Sequence, residues 1–410
     1  MASAGLKLAL DLGTTTLAGR LIDGQGSTLA EAKIPNPQRV LGSDVIRRLE
    51  AALGGAGAQL QALLATGIND LCAELLRQAG AKRGAITAAA AAANPAICHL
   101  LRQLPVERIL FPPHRPKELA GVELDPKSLG LELPVALYLF PLVSGYVGGD
   151  LVAFLYGLGA VAPGTFCLDV GTNGEMALFT GQDWWVTSVA AGPAFEAGEI
   201  ACGMALQPGA IERVQLLGDR LQLQVHGGGP PRGLCGSGLA SAVAAALEGG
   251  LIDRHGTIAE PLTVPSNLAG CIVETTQGRS LRLYRDAEVD LQLTQEDIRQ
   301  FQLAKGAVKA GAEALLQRAG LAAEQVGRVL LTGAFGFSLP DRVVKKVVML
   351  PEAMVNKVEF IAAGALQGVA RLLTAVDGAT EVADLAVTLR PLPLSGTPTF
   401  ETAFLQSLDF

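Results

Sequence analysis

The stretch Leu8-Ala9-Leu10-Asp11-Leu12-Gly13-Thr14-Thr15-Thr16-Leu17-Ala18 returns, altered, as Phe166-Cys167-Leu168-Asp169-Val170-Gly171-Thr172-Asn173-Gly174-Glu175-Met176-Ala177. Each copy is an apolar run, a polar turn with Asp-x-Gly-Thr, and a second apolar run that ends at a glycine, Gly24 or Gly181. That pattern predicts a β-hairpin with a polar tip. The two aspartates are 158 residues apart (169 − 11), so the repeat predicts two homologous domains with facing loops.

The turns suit phosphate. Backbone N–H groups in a tight glycine turn hold phosphate oxygens closely, and threonine hydroxyls add donors. Gly13, Thr14, Thr15 and Thr16 are the candidates in the first loop, and Gly171, Thr172, Asn173, Gly174 and Glu175 in the second. A carboxylate at the strand end does not favour phosphate by itself, but it can hold a hydrated Mg²⁺ that neutralises phosphate charge. Asp11 and Asp169 are placed for that role.

Between and after the two copies, helix-like and strand-like segments alternate. Helical spacing marks 44–53, 59–79, 148–157, 238–247, 295–319 and 364–373. Strands are expected at 85–93, 135–142 and 329–331, and residues 190–238 read as an irregular glycine-rich section. Alternation of this kind predicts an α/β fold with mainly buried sheets. The first domain is expected over 1–165 and the second over 166–410, with a C-terminal helix packing back on the first.

Half of the 410 residues are hydrophobic and 17% are charged, which suits two domains with large cores. A net charge of −7 argues against nucleic acid or acidic membranes as partners. No apolar run is long enough to span a bilayer, and residues 1–7 lack signal-peptide character, so a cytoplasmic location is expected. The closest two of the six cysteines, Cys72 and Cys98, are 26 apart, so neither an iron–sulfur cluster nor a zinc site is expected.

Four further groups are candidates. Thr332-Gly333-Ala334-Phe335-Gly336 follows a buried strand, where a glycine turn could receive a base and ribose. Asp150 stands at a helix start, where it would cap the helix or orient an attacking or magnesium-bound water. Gly192, in Ala190-Ala191-Gly192-Pro193-Ala194-Phe195-Glu196, and Gly236-Ser237 at a helix N-terminus could face an anion. Lys305, flanked by small residues, could reach a nucleotide.

Taken together, the paired loops and Gly333-Ala334-Phe335-Gly336 resemble the phosphate and adenosine motifs of the sugar kinase, heat-shock chaperone and actin superfamily. More closely, the chain resembles the reductive activators of corrinoid proteins. Asp11-Leu12-Gly13-Thr14-Thr15-Thr16, Asn36-Pro37-Gln38, Gly42-Ser43-Asp44-Val45-Ile46, Asp169-Val170-Gly171-Thr172-Asn173-Gly174-Glu175 and Pro398-Thr399-Phe400-Glu401-Thr402-Ala403-Phe404 carry that likeness. The resemblance implies a two-domain actin-like ATPase fold, built on duplicated ribonuclease H-like domains with the nucleotide in the interdomain cleft. It implies ATP or ADP with Mg²⁺, and a corrinoid protein or related metalloprotein as partner, whose Co(II) is restored to Co(I). Family members carry an iron–sulfur domain. Here the first motif begins at Leu8, so none is expected, and a separate ferredoxin-like donor would bring the electron. A homodimer fits this reading. Residues 88–93 and Ile361-Ala362-Ala363-Gly364 depart from the pattern, lacking Gly or Asn expected there. The alternatives are a small-molecule kinase of the same superfold, with Asp150 as base, and a non-catalytic nucleotide-gated partner.

Overall fold

The computed structural model describes residues 5–264, 267–276, 278–333 and 339–410. The chain divides into two compact units. One takes Met1–Ala162, Gly181–Val186 and Ala363–Pro391, and the other takes Pro163–Thr180, Thr187–Ala362 and Leu392–Phe410. The sequence reading put one boundary at 165/166. The two units change over at 162/163, and 181–186 and 363–391 also fall in the first.

The first unit is built on a six-stranded sheet in the order Thr28–Pro35, Thr16–Ile22, Leu6–Leu12, Ile86–Ala93, Leu137–Leu139, Val122–Leu124. Leu6–Leu12 runs antiparallel to Thr16–Ile22 and parallel to Ile86–Ala93. Strand alternation sends Leu8, Leu10 and Leu12 to one face. There they join Leu64, Ile68, Leu71 and Leu75 of the helix Gly57–Ala79 in one buried cluster. Ala9, Ala90 and Ala92 are fully buried outside that cluster, and Asp11 shares their face of the strand.

Small residues are needed on that face because two helices press on it. Gly364–Thr374 packs on Leu6–Leu12 and Ile86–Ala93, and against Gly149–Leu158. A side chain at Gly368 would run into the Ala153 carbonyl of the facing helix. The alanine run at 88–93 is thus a central strand thinned to admit close helices. Arg371 Nη1 donates to the Tyr156 carbonyl at 2.6 Å, and the Tyr156 hydroxyl donates to Glu381 at 2.6 Å, tying Gly378–Thr388 to the same layer.

In the second unit, Arg328–Gly333 lies parallel to both Val358–Phe360 and Thr165–Val170, and Thr165–Val170 is antiparallel to Asn173–Phe179. The long helix Gln295–Ala319 opens on a Thr294–Asp297 capping box and closes at Gly320 in the left-handed region, φ +67°. The section 190–238, expected to be irregular, holds strands Ala210–Leu217, Arg220–Val225 and Gly233–Leu234 in one small sheet. A second small sheet joins Ile272–Thr275, Gly278–Arg285 and Asp290–Thr294.

Candidate functional site

Both Asp-x-Gly-Thr segments form hairpin tips, one in each unit. In the first, Asp11 pairs with Ala18 across the hairpin and with Ala92 on the parallel side. The turn closes through the Gly13 N–H, which donates to the Thr16 carbonyl at 3.0 Å. Thr14 is buried, and its hydroxyl accepts from Asn94 Nδ2 at 2.9 Å. Thr15 is exposed and Thr16 half-buried. The three threonines therefore differ: Thr14 turns its hydroxyl into the protein and Thr15 stands at the surface of the tip.

Asp150 comes to the same corner. It lies in the first turn of Gly149–Leu158, whose N-cap is Gly148 without a side-chain cap bond. Asp150 is therefore not the cap the sequence allowed, and its carboxylate accepts from the Leu151 N–H at 2.9 Å. Gly148 packs on the Ala93 carbonyl and the Asn94 backbone with no room for a side chain. This contact sets the helix start beside the end of the strand that pairs with Asp11. Burial first, and the Asp150 charge second, push the Asp11 carboxyl up to about 7, with Lys33 pulling the other way. Burial raises Asp150 to about 6 against the backbone amides that lower it. Two acids 139 residues apart (150 − 11) thus share one half-buried corner.

The second tip is one residue shorter. Residues 171–173 lie between the last cross-strand pair, Val170 and Gly174, against 13–16 between Leu12 and Leu17. Gly171 N–H donates to the Asn173 carbonyl at 2.8 Å. Asp169 sits directly opposite Glu175, which accepts from Ser188 Oγ at 3.1 Å. Thr172 Oγ1 donates to Glu196 at 3.0 Å. Gly192, at φ +75°, precedes the short Pro193–Glu196 turn that supplies this carboxylate. Gly236 presses its backbone on the Phe195 carbonyl. Ser237 Oγ donates to the Glu212 carbonyl at 3.1 Å, so its hydroxyl faces the neighbouring strand.

Gly333 adjoins the second loop. Its φ is +99°, and a side chain there would collide with the Val170 carbonyl and the Asp169 carboxyl. Parallel pairing of Thr332 with Asp169 and of Gly333 with Val170 sets this contact. Ala334, Phe335 and Gly336 lie outside the described residues. Lys305 is placed differently from the sequence reading. It is fully buried, donates to the Asp409 carbonyl, and lies 5.0 Å from the Phe410 ring centroid. It therefore anchors the C-terminal segment in the second unit.

Four residues that the sequence reading gave no role stand around the loops: Asn36, Arg48, Asn94 and Glu196. Asn36-Pro37-Gln38 and the 190–196 string were visible as motifs, but their partners are distant in sequence.

A hydrated Mg²⁺ fits the acid corner. Two half-buried carboxyls, of which Asp150 raises the proton affinity of Asp11, would be relieved by a divalent cation. Among the described residues no three of His, Cys, Asp and Glu form a closed metal cage. Mg²⁺ does not require one, since it keeps waters and uses one or two carboxylates with phosphate oxygens.

Comparison with known proteins agrees with this architecture. Residues 6–160 match the RACo middle region, and residues 164–410 match the C-terminal domain of RACo, the ASKHA domain. The corrinoid activation enzyme RamQ of Eubacterium limosum is 29% identical over 384 residues, covering 88% of this chain. The [Co(II) methylated amine-specific corrinoid protein] reductase of Methanosarcina barkeri is 24% identical over 365 residues, covering 80%. The chain spans 63% of the length of each of these two relatives. A solved structure described as a reductive activator for corrinoid, iron-sulfur protein superposes on 100% of this chain and 67% of its own, with TM-score 0.92 and 30% identity. The fold is thus the two-domain, actin-like ASKHA fold. With models matching from residue 6 to residue 410, the chain belongs to the RACo family, as its middle region and C-terminal ASKHA domain.

Proposed function

We propose that this chain binds and hydrolyses ATP with Mg²⁺, and that it uses this cycle to help return a corrinoid protein from Co(II) to Co(I). The observation that carries the reading is the pair of Asp-x-Gly-Thr tips, one per unit, in a chain that matches the RACo family along almost its full length. The names of its relatives supply the corrinoid substrate. Mg²⁺, when bound, neutralises phosphate charge and orders water. Gly13–Thr16 and Thr172–Gly174 would hold phosphate oxygens by backbone and hydroxyl donors, and Asp11 and Asp169 would hold magnesium waters. Asp150, facing Asp11, would accept a hydrogen bond from the attacking water. Water adds to the terminal phosphorus as its bond to ADP breaks. The single electron that reduces cobalt would come from a separate carrier, ferredoxin-like in type.

The test is calorimetric titration with ATP and Mg²⁺, with phosphate release measured in parallel. Asp11→Asn and Asp169→Asn should each lower turnover about a hundredfold or more, the scale of losing a positioned charged group. Wild-type protein that takes up no ATP, or variants that hydrolyse it at the wild-type rate, would overturn the assignment.

A further inference from the structure

Arg48 is a fully buried cation that bonds no carboxylate among the described residues, lodged behind the first loop. It is 1% exposed and forms no ion pair among the described residues. Nε donates to the Gly42 carbonyl at 2.9 Å, and Nη1 donates to the Thr14 carbonyl at 2.7 Å and, at 3.4 Å, to Gln38 Oε1. Nη2 has no partner among the described residues. Burial pulls the guanidinium down to about 10 against the nearby Asp44 charge, so it stays charged at neutral pH. A buried guanidinium with one unmet donor is a costly way to stabilise a fold.

Asn36 works on the same turn. Its Nδ2 donates to the Gly13 carbonyl at 2.9 Å and its N–H to the Thr15 carbonyl at 2.8 Å. Three successive carbonyls, those of Gly13, Thr14 and Thr15, are therefore drawn towards residues 36–48. A trans peptide is planar, with C=O of one residue antiparallel to N–H of the next. Drawing those oxygens to one side turns the N–H groups of Thr14, Thr15 and Thr16 to the other. Consecutive amides aimed one way form an anion-binding nest.

We infer that Asn36 and Arg48 are the positioning residues of the first phosphate loop: they aim its amides at the phosphate, and Arg48 adds a positive charge behind them. Neither touches the nucleotide. The inference rests on the ATP reading above, and it adds residues to which the motif itself gives no role.

The experiment compares Arg48→Met, Arg48→Lys and Asn69→Ala. Asn69 Nδ2 donates to the Gly130 carbonyl at 3.0 Å and its Oδ1 accepts from the Glu132 N–H at 2.9 Å, in the same unit and away from Arg48. Arg48→Met should weaken MgATP by about tenfold or more, the scale of one charge-assisted hydrogen bond. Arg48→Lys keeps the charge and loses the fork, so it should fall between wild type and Arg48→Met. Adenosine, which lacks phosphate, should bind all of them equally. Asn69→Ala should lower the unfolding midpoint and leave MgATP affinity unchanged. Arg48 variants that bind MgATP like wild type, or that lose affinity only as far as Asn69→Ala does at matched stability, overturn the inference. If the wild type binds no ATP, the ATP reading fails, and hydrogen exchange then judges the clamp. The Gly13 and Asn36 amides, bonded to Thr16 and Thr15, should exchange faster in Arg48→Met than in wild type or Asn69→Ala. Equal exchange overturns it.

Discussion

Ala363 lies at φ +49°, ψ 53°, immediately before the helix Gly364–Thr374. An L-residue there is held in the left-handed region at a cost of about 1 kcal/mol. The sequence carried a trace of this, because Ile361-Ala362-Ala363-Gly364 lacks the Gly or Asn expected by resemblance. Ala363→Gly should therefore raise stability by about 0.5 kcal/mol, relief of strain being partly offset by the greater freedom of glycine when unfolded. Urea titration reads this, and a lower midpoint in the variant would refute it. Asp11 and Asp169 were legible because a motif names them. Asp150 was visible only as an acid at a helix start, because its approach to Asp11 depends on Gly148 packing against Ala93 and Asn94. Arg48 was illegible for another reason. Its firm acceptors are backbone carbonyls, which exist at every residue and leave no mark in the sequence.

At the scale of elements, the helices were legible wherever one face carries regular apolar spacing, as in Gly57–Ala79 and Gln295–Ala319. The strands of 210–234 were hidden because Gly227, Gly228 and Gly229 and an alternating polar edge, Arg220–Val225, look like loop. Lys305 was misplaced for a related reason. Small neighbours suggested access, yet they let the C-terminal segment pack down instead. Phe410 stacks on Phe301 at 6.4 Å, Gln302 Nε2 donates to the Leu408 carbonyl at 3.0 Å, and His255 pairs with Asp409 at 2.9 Å. Burial first, and the Lys309 charge second, lower Lys305 to about 7, with Asp409 opposing. An unperturbed lysine titrates at 10.5, so between pH 7 and that value the unfolded chain binds the proton more tightly. Stability from this group therefore rises with pH across the window, with a slope of at most about 1.4 kcal/mol per unit. Below pH 7 both states are protonated and the contribution is constant. Relative to Lys305→Met, the wild type should gain stability from pH 7 to 9 in urea titrations. Parallel curves for the two proteins would show that Lys305 stays charged in the fold.

At the scale of the whole molecule, the duplicated hairpin foretold two units. The place of 363–391 in the first unit depends on helix contacts such as Gly368 against Ala153, while the C-terminal helix Pro398–Gln406 falls in the second. The proposed function also belongs to this scale, since no single loop reduces cobalt. In the proposed function the electron and ATP enter by different routes. That separation can be tested with the chain, a Co(II) corrinoid protein and a low-potential chemical reductant in place of the carrier. If ATP drives the uphill step, the Co(I) absorption band should grow only when chain, reductant and MgATP are all present. One electron reduces each cobalt, and ADP should accumulate alongside. Arg48→Met should need more MgATP to reach the same rate, and Asp11→Asn should stay dark at any concentration. A non-hydrolysable ATP analogue divides two mechanisms: full reduction with it would assign the work to nucleotide binding, and none would assign it to hydrolysis. Cobalt that stays Co(II) with wild-type chain saturated by MgATP, or that is reduced equally well without the chain, would end the corrinoid reading while leaving ATP binding intact.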